Sequence, residues 1–234
     1  MPDNRNLNFM ASVAFKGLLE RFEPDYRQST GFGFAPTYAP AGTVVKRVRE
    51  GATSDLVIVT PETMKTLIDE GLAMAGSERN IASSVIGVAV RTGAPRPKVD
   101  TADDLRRALL AARAVAYTDP STGAASGVHF VQILERFGIA DAVKAKAKLG
   151  SGGPVAEFLA SGEADIAIQQ LCEHMLVPGV DIVGPLPDEL NKVTTFTVGV
   201  TTAAAAPNEA AALIRLLLAP HVRTAMPSHG IRPL

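Results

Sequence analysis

The sequence is poor in the residues that mark several large protein classes. It contains a single cysteine, Cys172, so no intramolecular disulfide can form, and it contains no tryptophan. No apolar stretch reaches the roughly 18 residues that suggest a membrane-spanning helix. The formal net charge is -1 and no run of lysine or arginine occurs. We therefore expect neither nucleic acid nor membrane insertion among its interactions.

The amino-terminal segment MPDNRNLNFMAS also lacks a secretory signal pattern. Such a pattern has a basic region followed by an apolar region of about 7–15 residues, and this segment has neither. Two locations stay open at this point. The protein is periplasmic if a signal peptide was removed, and cytoplasmic if Met1 is the native start.

Motifs for common cofactors and nucleophiles are missing as well. The chain has no G-x-S-x-G elbow, no P-loop and no G-x-G-x-x-G after its first strand-like run. Its four histidines and its cysteine show no metal-ligand spacing. We therefore expect no cofactor and no metal, and the sequence does not favour a hydrolase, an NTPase or a dinucleotide-binding enzyme.

What the sequence does have is a regular alternation of strand-like and helix-like segments. Helices are predicted between most strands, including one over 153–162 and a last one over about 207–218. The predicted strands cover residues 7–10, 31–36, 55–60, 83–91, 114–118, 165–170 and 194–200. This alternation predicts an α/β fold with mainly parallel sheets flanked by helices. The length suits one large domain or two lobes of about 100 residues each.

The turns from strand to helix are the expected ligand-binding positions of such a fold. Ser12 stands where a helix N-cap is expected, and Gly42 and Thr43 belong to the loop over 35–43. A helix start offers unpaired N–H groups and the positive end of the helix dipole, both of which favour an anion. Several such turns at one sheet edge predict an anion receptor that needs little net positive charge.

The loop TDPSTGAASGVHFVQILERFG, residues 118–138, is the richest of these turns in small residues. Its glycines let the backbone approach a ligand closely, and Ser126 is predicted to begin the helix and, with Gly127, to contact the ligand. His129 follows near the third helical position. It either caps or packs there, or it contacts the ligand or transfers a proton.

Three further polar residues are candidates for ligand contact. Gln169 and Gln170 follow the apolar run DIAI, where side chains alternate between the two faces of a strand. We therefore expect one glutamine to face the ligand and the other to pack. Arg91 ends the strand over 83–91 and either clamps a carboxylate or forms a surface ion pair.

The order of these segments resembles a known family. The runs FMASVAFKGLLERFE, APAGTVVKRVREGATSDLVIVTPETMKTLIDEG, SSVIGVAVRTGAPRPKVDTADDLRRALL, YTDPSTGAASGVHF and SGEADIAIQQ resemble the molybdate-binding branch of the type II periplasmic solute-binding proteins. The resemblance covers nearly the whole chain. It implies two α/β lobes joined by two hinge crossovers, with residues 1–84 and 198–234 in lobe one and 85–197 in lobe two. It also implies that Arg91 lies beside the first crossover.

This resemblance implies a function. Such proteins close two lobes around a small anion and pass it to the membrane component of an ABC transporter. Ser12 matches the first ligand-binding hydroxyl of the molybdate binders, and Thr43 lies beside the second.

Departures from the molybdate pattern favour another ligand. The chain has Ala41–Gly42 in place of the second serine, Ala125–Ser126–Gly127 in place of Pro-Ala-Gly, and Gln170 in place of tyrosine. The segments IGVAVRTGAPRPKV, ADIAIQQ, GVDIVGPLP and TTFTVGV look closer to a side branch that includes bacterial aconitate isomerase. That branch implies a di- or tricarboxylate ligand. It also leaves open an isomerase that moves a proton between allylic carbons, with His129 as the candidate base.

Overall fold

The fold was determined as a computed structural model, which describes residues 5–234. The strands within this range are β1 (Asn6–Ala11), β2 (Gly33–Tyr38), β3 (Leu56–Val59), β4 (Arg79–Arg91), β5 (Val115–Thr118), β6 (Ala147–Gly150), β7 (Ile166–Gln170), β8 (Val180–Pro185), β9 (Val193–Val200) and β10 (Arg232–Pro233). The α-helices are α1 (Lys16–Thr30), α2 (Ala41–Arg49), α3 (Pro61–Asp69), α4 (Ala102–Ala111), α5 (Ala125–Arg136), α6 (Ala140–Lys144), α7 (Glu157–Ala160), α8 (Leu171–His174), α9 (Pro207–Leu218) and α10 (Pro220–Ala225).

The chain divides into two compact units. Unit 1 consists of Met1–Ser83 and Thr195–Leu234, and unit 2 consists of Ser84–Thr194. The chain passes from one unit to the other inside β4 and returns inside β9. Unit 2 is therefore one continuous segment, whereas unit 1 is built from both ends of the chain.

Unit 1 contains a mixed sheet in the order β2-β1-β3-β9. Strands β1, β2 and β3 are parallel, and β9 runs antiparallel to β3. The buried carboxylate of Asp55 accepts hydrogen bonds from the backbone of Asn8, Ala205 and Ala206. Because these partners come from both ends of the chain, Asp55 ties the carboxyl-terminal segment to the amino-terminal part of the sheet.

Unit 2 contains a second sheet in which β4, β7, β5 and β6 are successive neighbours, and β8 also pairs with β4. Strands β5, β6 and β7 are parallel, while β4 is antiparallel to β7. Helices α4 and α5 cover an apolar core that includes Leu105, Tyr117, Phe130 and Ile168. Burial of this core supplies most of the stabilisation that holds the helices on the sheet.

The predicted α/β class is confirmed, and most predicted elements lie where the sequence placed them. The last helix covers Pro207–Leu218, as predicted. Two predictions were wrong in detail. The helix expected over 153–162 is only one turn, Glu157–Ala160. The loop expected over 35–43 is mostly ordered, because β2 continues to Tyr38 and α2 already begins at Ala41.

Candidate functional site

The carboxyl ends of β1, β2 and β3 lie at one edge of the unit 1 sheet, which we call the unit 1 edge. Ala11, the last residue of β1, is in register with Tyr38 of β2 and Ile58 of β3. The chain turns into a helix directly after each of these strands. The edge therefore places three strand-to-helix turns side by side, and Ser12, Gly42 and Thr43 all belong to it.

Ser12 lies between β1 and the 3₁₀ turn that leads into α1. Its Oγ accepts a hydrogen bond from the backbone N–H of Ala14 at 3.3 Å, and its own N–H donates to the carbonyl of Ile58. Ser12 is thus an N-cap, as predicted, but it caps the 3₁₀ turn and not α1 itself. Because its Oγ acts as an acceptor here, the hydroxyl hydrogen remains available to donate to an anion.

Gly42 and Thr43 lie in the first turn of α2 rather than in a loop. The N-cap of this helix is Pro40, whose side chain cannot cap, and the first helical hydrogen bond runs from Val44 to Pro40. The N–H groups of Ala41, Gly42 and Thr43 precede that bond and have no helical acceptor. Gly42 is exposed, so these donors are open to a ligand.

The carboxyl ends of β5, β6 and β7 form a corresponding edge in unit 2, which we call the unit 2 edge. Helix α5 starts directly on this edge. A Cβ on Gly127 would lie 2.2 Å from the carbonyl oxygen of Thr118, the last residue of β5. Glycine is therefore required at position 127 so that the first turn of α5 can pack against the strand end.

Ser126 does not cap this helix, contrary to the prediction. The N-cap is Ala124, and Ser126 is the second helical residue, buried beside Gly127. The cap residue has no polar side chain, so the first N–H groups of α5 have no side-chain acceptor from it. The expected backbone N–H donors are present at this turn. Ser126 contributes its backbone N–H as a residue of the first helical turn and not as the cap.

His129 lies one turn into α5 and is half-buried. Its Nε2 is 2.7 Å from the carbonyl oxygen of Leu190, in the segment that precedes β9. A carbonyl can only accept, so Nε2 carries the hydrogen and Nδ1 is the basic nitrogen of the neutral ring. His129 therefore has a structural contact, and this contact leaves one ring nitrogen able to accept a proton.

Gln169 connects three segments at the unit 2 edge. Its Oε1 accepts from the backbone N–H of Val155 at 2.8 Å, and its Nε2 donates to Thr118 Oγ1 and to the carbonyl of Gly153. The side chain is 3% exposed. Gln169 is thus the glutamine that packs, and it holds the turn between β6 and α7 against the ends of β5 and β7.

Gln170 has a different environment. It is 4% exposed, and its Nε2 donates to Thr194 Oγ1 at 2.8 Å, while its Oε1 is buried without a hydrogen-bond partner. Buried polar atoms in folded proteins are nearly always paired with protein, water or ligand. One end of this amide is therefore satisfied by protein, and the other is available to a bound molecule.

Sequence reasoning missed a pair of buried ionisable residues directly after β7. Burial raises the pKa of the Glu173 carboxyl to about 8, although a hydrogen bond from Gln169 acts in the opposite direction. Burial also lowers the pKa of His174 to about 4, and its Nε2 lies 3.2 Å from the carbonyl of Gly87. The sequence signal for the burial of Glu173 and His174 was their position, because α8 follows a fully buried strand without an intervening loop.

Arg91 does not belong to the unit 2 edge. Ile86 of β4 is in register with Gln170, and Arg91 lies five residues further along β4, or about 16 Å away at the usual rise of a strand. The predicted position of Arg91 beside the first crossover is wrong, because the crossover falls at Ser83–Ser84. Strand β4 runs antiparallel to β7, so its carboxyl end is at the opposite edge.

Within residues 5–234, no group of three or more His, Cys, Asp or Glu side chains is arranged to hold a metal ion. No helix in the same range is long and apolar enough to cross a membrane.

Comparison with known proteins assigns the family. Residues 7–232 match the family model described as bacterial extracellular solute-binding protein. The chain belongs to this family. An aconitate isomerase from Pseudomonas sp. is 30% identical to it, over 97% of this chain and 88% of the relative. The predicted resemblance to the branch that includes this enzyme is therefore confirmed.

Two solved structures share this fold and confirm the predicted type II solute-binding fold. The periplasmic molybdate-binding protein of Azotobacter vinelandii has a TM-score of 0.79 and 19% identity, with 97% of this chain and 98% of that chain covered. PEB3 bound to L-phospholactate has a TM-score of 0.71 and 13% identity, with coverage of 97% and 99%. At these identities both structures show the fold of the family member described here and not its ligand.

Proposed function

We propose that this solute-binding protein takes a small di- or tricarboxylate, rather than molybdate, as its ligand. Each unit offers candidate donors at the strand-to-helix turns of its own edge. In unit 1 these are Ser12 and the first turn of α2 with Gly42 and Thr43. In unit 2 they are the first turn of α5, with Ser126 and Gly127, and the amide of Gln170.

Gln170 is the observation that carries the choice of ligand. Its amide is buried and only one end has a partner, the hydroxyl of Thr194. A hydroxyl can donate or accept, so the amide satisfies Thr194 in either of its two orientations. The free end is then either an NH₂ donor for a carboxylate or an acceptor for a hydroxyl or a protonated carboxyl. An oxyanion without hydrogen can bind only the orientation that presents the NH₂ donor. A hydroxylated or partly protonated polycarboxylate can bind either orientation of the amide.

The comparisons support the same choice. The 30% identical relative is named an aconitate isomerase, and aconitate is a tricarboxylate. The molybdate-binding relative is 19% identical. Backbone N–H groups at helix starts bind carboxylates and oxyanions alike, so the side chains decide between them.

A thermal-shift series with citrate, trans-aconitate, succinate, sulfate and molybdate tests the proposal. A ligand present at 100 times its dissociation constant should stabilise the protein by about 2.7 kcal/mol, which is several degrees in Tm. We expect the largest shift with a carboxylate, and we expect Gln170→Leu to reduce it. Gln132→Leu, on the exposed side of α5, is the matched control. A larger shift with molybdate than with every carboxylate would refute the proposal.

In the receptor role, we propose that units 1 and 2 are the two lobes of the protein and that its partner is the membrane component of an ABC transporter. That role requires a periplasmic location, whereas an enzyme could act in the periplasm or in the cytoplasm. Transport assays with a cognate membrane component would test this part separately from ligand binding.

Isomerisation of aconitate is the second candidate function, and the identity of the Pseudomonas relative favours it. His129 is the proposed base. Its contact with Leu190 fixes Nδ1 as the nitrogen that would take the proton from the allylic carbon and return it at the other allylic position. The reaction is redox-neutral and needs no cofactor.

Incubation with trans-aconitate, followed by chromatographic measurement of cis-aconitate, distinguishes the two functions. A receptor yields no conversion above the buffer blank. An isomerase that uses His129 loses about 10²–10⁴-fold in rate in the His129→Gln variant while still binding trans-aconitate. Glutamine keeps an N–H donor for the Leu190 carbonyl, so loss of rate with retained stability separates proton transfer from a structural role.

A further inference from the structure

Unit 2 contains a pocket at the edge of its sheet that lies opposite to Gln169 and Gln170. The pocket encloses about 450 Å³ and lies between the end of β4, the end of α4 and the start of β7. Ligand pockets in proteins commonly have volumes of about 300–1,000 Å³, apolar walls and a few fixed polar groups. The apolar part of the lining is formed by Val90, Ala94, Pro95, Pro97, Ala108, Ala111, Ala112, Ala164 and Ile166.

Three charged residues line this pocket, and only one of them lacks a partner. Arg113 forms an ion pair with Asp165 at 3.2 Å and also donates to the carbonyl of Gly162. Arg91 is exposed, and within the described residues its guanidinium forms no hydrogen bond and no ion pair. With Arg113 and Asp165 neutralising each other, Arg91 gives the pocket a net positive charge.

The turn at Gly162 brings the Arg91 guanidinium to the rim of the pocket. Gly162 has φ of 78°, a left-handed conformation that favours glycine, and a Cβ there would lie 3.6 Å from Arg91 Nη1. The two arginines therefore flank a single turn. The free N–H groups of Arg91 form a planar donor set that matches the two oxygens of a carboxylate.

The end of α4 does not oppose an anion at this position. Carbonyl groups at the end of a helix carry partial negative charge. Here the ammonium group of Lys146 donates to the carbonyls of Leu110 and Ala112, at 2.8 and 2.5 Å. Because a lysine pairs with these carbonyls, they do not oppose an anion held by Arg91.

We propose that this pocket binds a monocarboxylate with an apolar tail, with Arg91 holding the carboxylate and the alanine-rich wall burying the tail. This pocket is separate from the ligand-binding positions proposed above, because about 16 Å of β4 lies between Arg91 and the residue opposite Gln170. The lining contains no second free cation, which disfavours a di- or tricarboxylate there. A chain of about eight carbons fits the volume.

The probe is sodium octanoate, titrated into isotope-labelled protein and followed by NMR of the backbone amides. Octan-1-ol serves as the uncharged probe of the same length. Arg91→Gln removes the proposed charge, and Arg136→Gln, on the exposed last turn of α5, removes one charge elsewhere in unit 2 as the matched control. Ala111→Trp fills the pocket from an exposed helical position.

We expect octanoate to shift the amides of Gly162 and Ala112 and to lose about tenfold or more in affinity in Arg91→Gln, with no change in Arg136→Gln. Octanol should bind more weakly than octanoate, and equally to wild type and Arg91→Gln. Ala111→Trp should abolish the binding of both octanoate and octanol. It should leave unchanged the stabilisation by the carboxylates of the thermal-shift series. Absence of octanoate binding, shifts confined to other residues, or equal affinity in Arg91→Gln and Arg136→Gln would overturn the proposal.

Discussion

Neighbouring glutamines and ionisable residues at the end of β7 show how strongly burial decides the role of a side chain. Gln169 and Gln170 are adjacent in sequence and equally buried. One has every polar atom paired with protein, while the other keeps one free acceptor. Glu173 and His174 follow within four residues, and burial moves the pKa values of these two groups in opposite directions. The chemistry of this short segment is set by its surroundings rather than by its residue types.

This pair predicts an unusual dependence of stability on pH. Glu173 binds a proton more tightly in the folded state, with a pKa of about 8 against 4.5, so its contribution falls as pH rises from about 4.5 to 8. His174 binds its proton less tightly when folded, so its contribution rises with pH between about 4 and 6.5. The two trends oppose each other below pH 6.5, and only the Glu173 trend remains between pH 6.5 and 8.

We therefore expect the free energy of unfolding to fall by on the order of 1–2 kcal/mol between pH 6.5 and 8. In Glu173→Gln this fall should disappear, because the amide does not titrate. Urea denaturation at four pH values in this range measures the free energy of unfolding of the wild-type protein and of Glu173→Gln. An equal fall in the variant would mean that another group titrates.

At the scale of the elements, sequence patterns predicted the buried strands and the long helices. β3 is a continuous apolar run, β7 begins with the apolar residues 166–168, and α9 begins with a proline at its first position. β6 was missed because its four residues, Ala147–Gly150, are at most half-buried and show no alternation. A short edge strand has too few buried side chains to leave a pattern in the sequence.

The turns of the candidate site were predictable, but the roles of individual side chains were not. The position of a turn depends on local sequence, which identified Ser12, Gly42, Gly127 and Gln170. The partners of Gln169 lie 14–51 residues away in the chain. The direction of β4, which places Arg91 at the opposite edge, depends on how strands pair and not on the residues within the strand.

The start of α5 gives a prediction at this scale. Gly127→Ala places a methyl group 2.2 Å from the carbonyl oxygen of Thr118, so the first turn of α5 must move away from β5. We expect a loss of about 1–3 kcal/mol in stability and weaker carboxylate binding. Gly153→Ala, in the neighbouring turn, is the control because its Cβ would meet no atom within 4 Å. Urea denaturation and the thermal-shift series measure the two effects, and equal stability of the two variants would contradict the prediction.

At the scale of the whole molecule, the two units differ in how the chain builds them. Ser84–Thr194 contains every strand and helix of unit 2, together with its own apolar core. Unit 1 needs both ends of the chain, because β9 pairs with β3 and the hydroxyl of Tyr26 donates to the carbonyl of Glu209. Only unit 2 is complete within one continuous segment.

We therefore expect residues 84–194, expressed alone, to unfold cooperatively in urea, as single domains of this size usually do. Residues 1–83 alone should not unfold cooperatively, because β9, which pairs with β3, and helix α9 are both missing. Circular dichroism at increasing urea concentration distinguishes a cooperative transition from a gradual one. A cooperative transition of the segment 1–83 would contradict this account.

The division of unit 1 between the two ends of the chain has a consequence during protein synthesis. A ribosome delivers residues 1–83 first, but their sheet stays incomplete until β9 has left the exit tunnel, after unit 2 has been made. During that interval β3, whose four residues are all buried in the finished protein, exposes an apolar unpaired edge. Such an edge is prone to pair with another chain. The nascent protein should therefore depend on chaperones more than its stability suggests, and slower translation of residues 84–194 should lengthen that dependence.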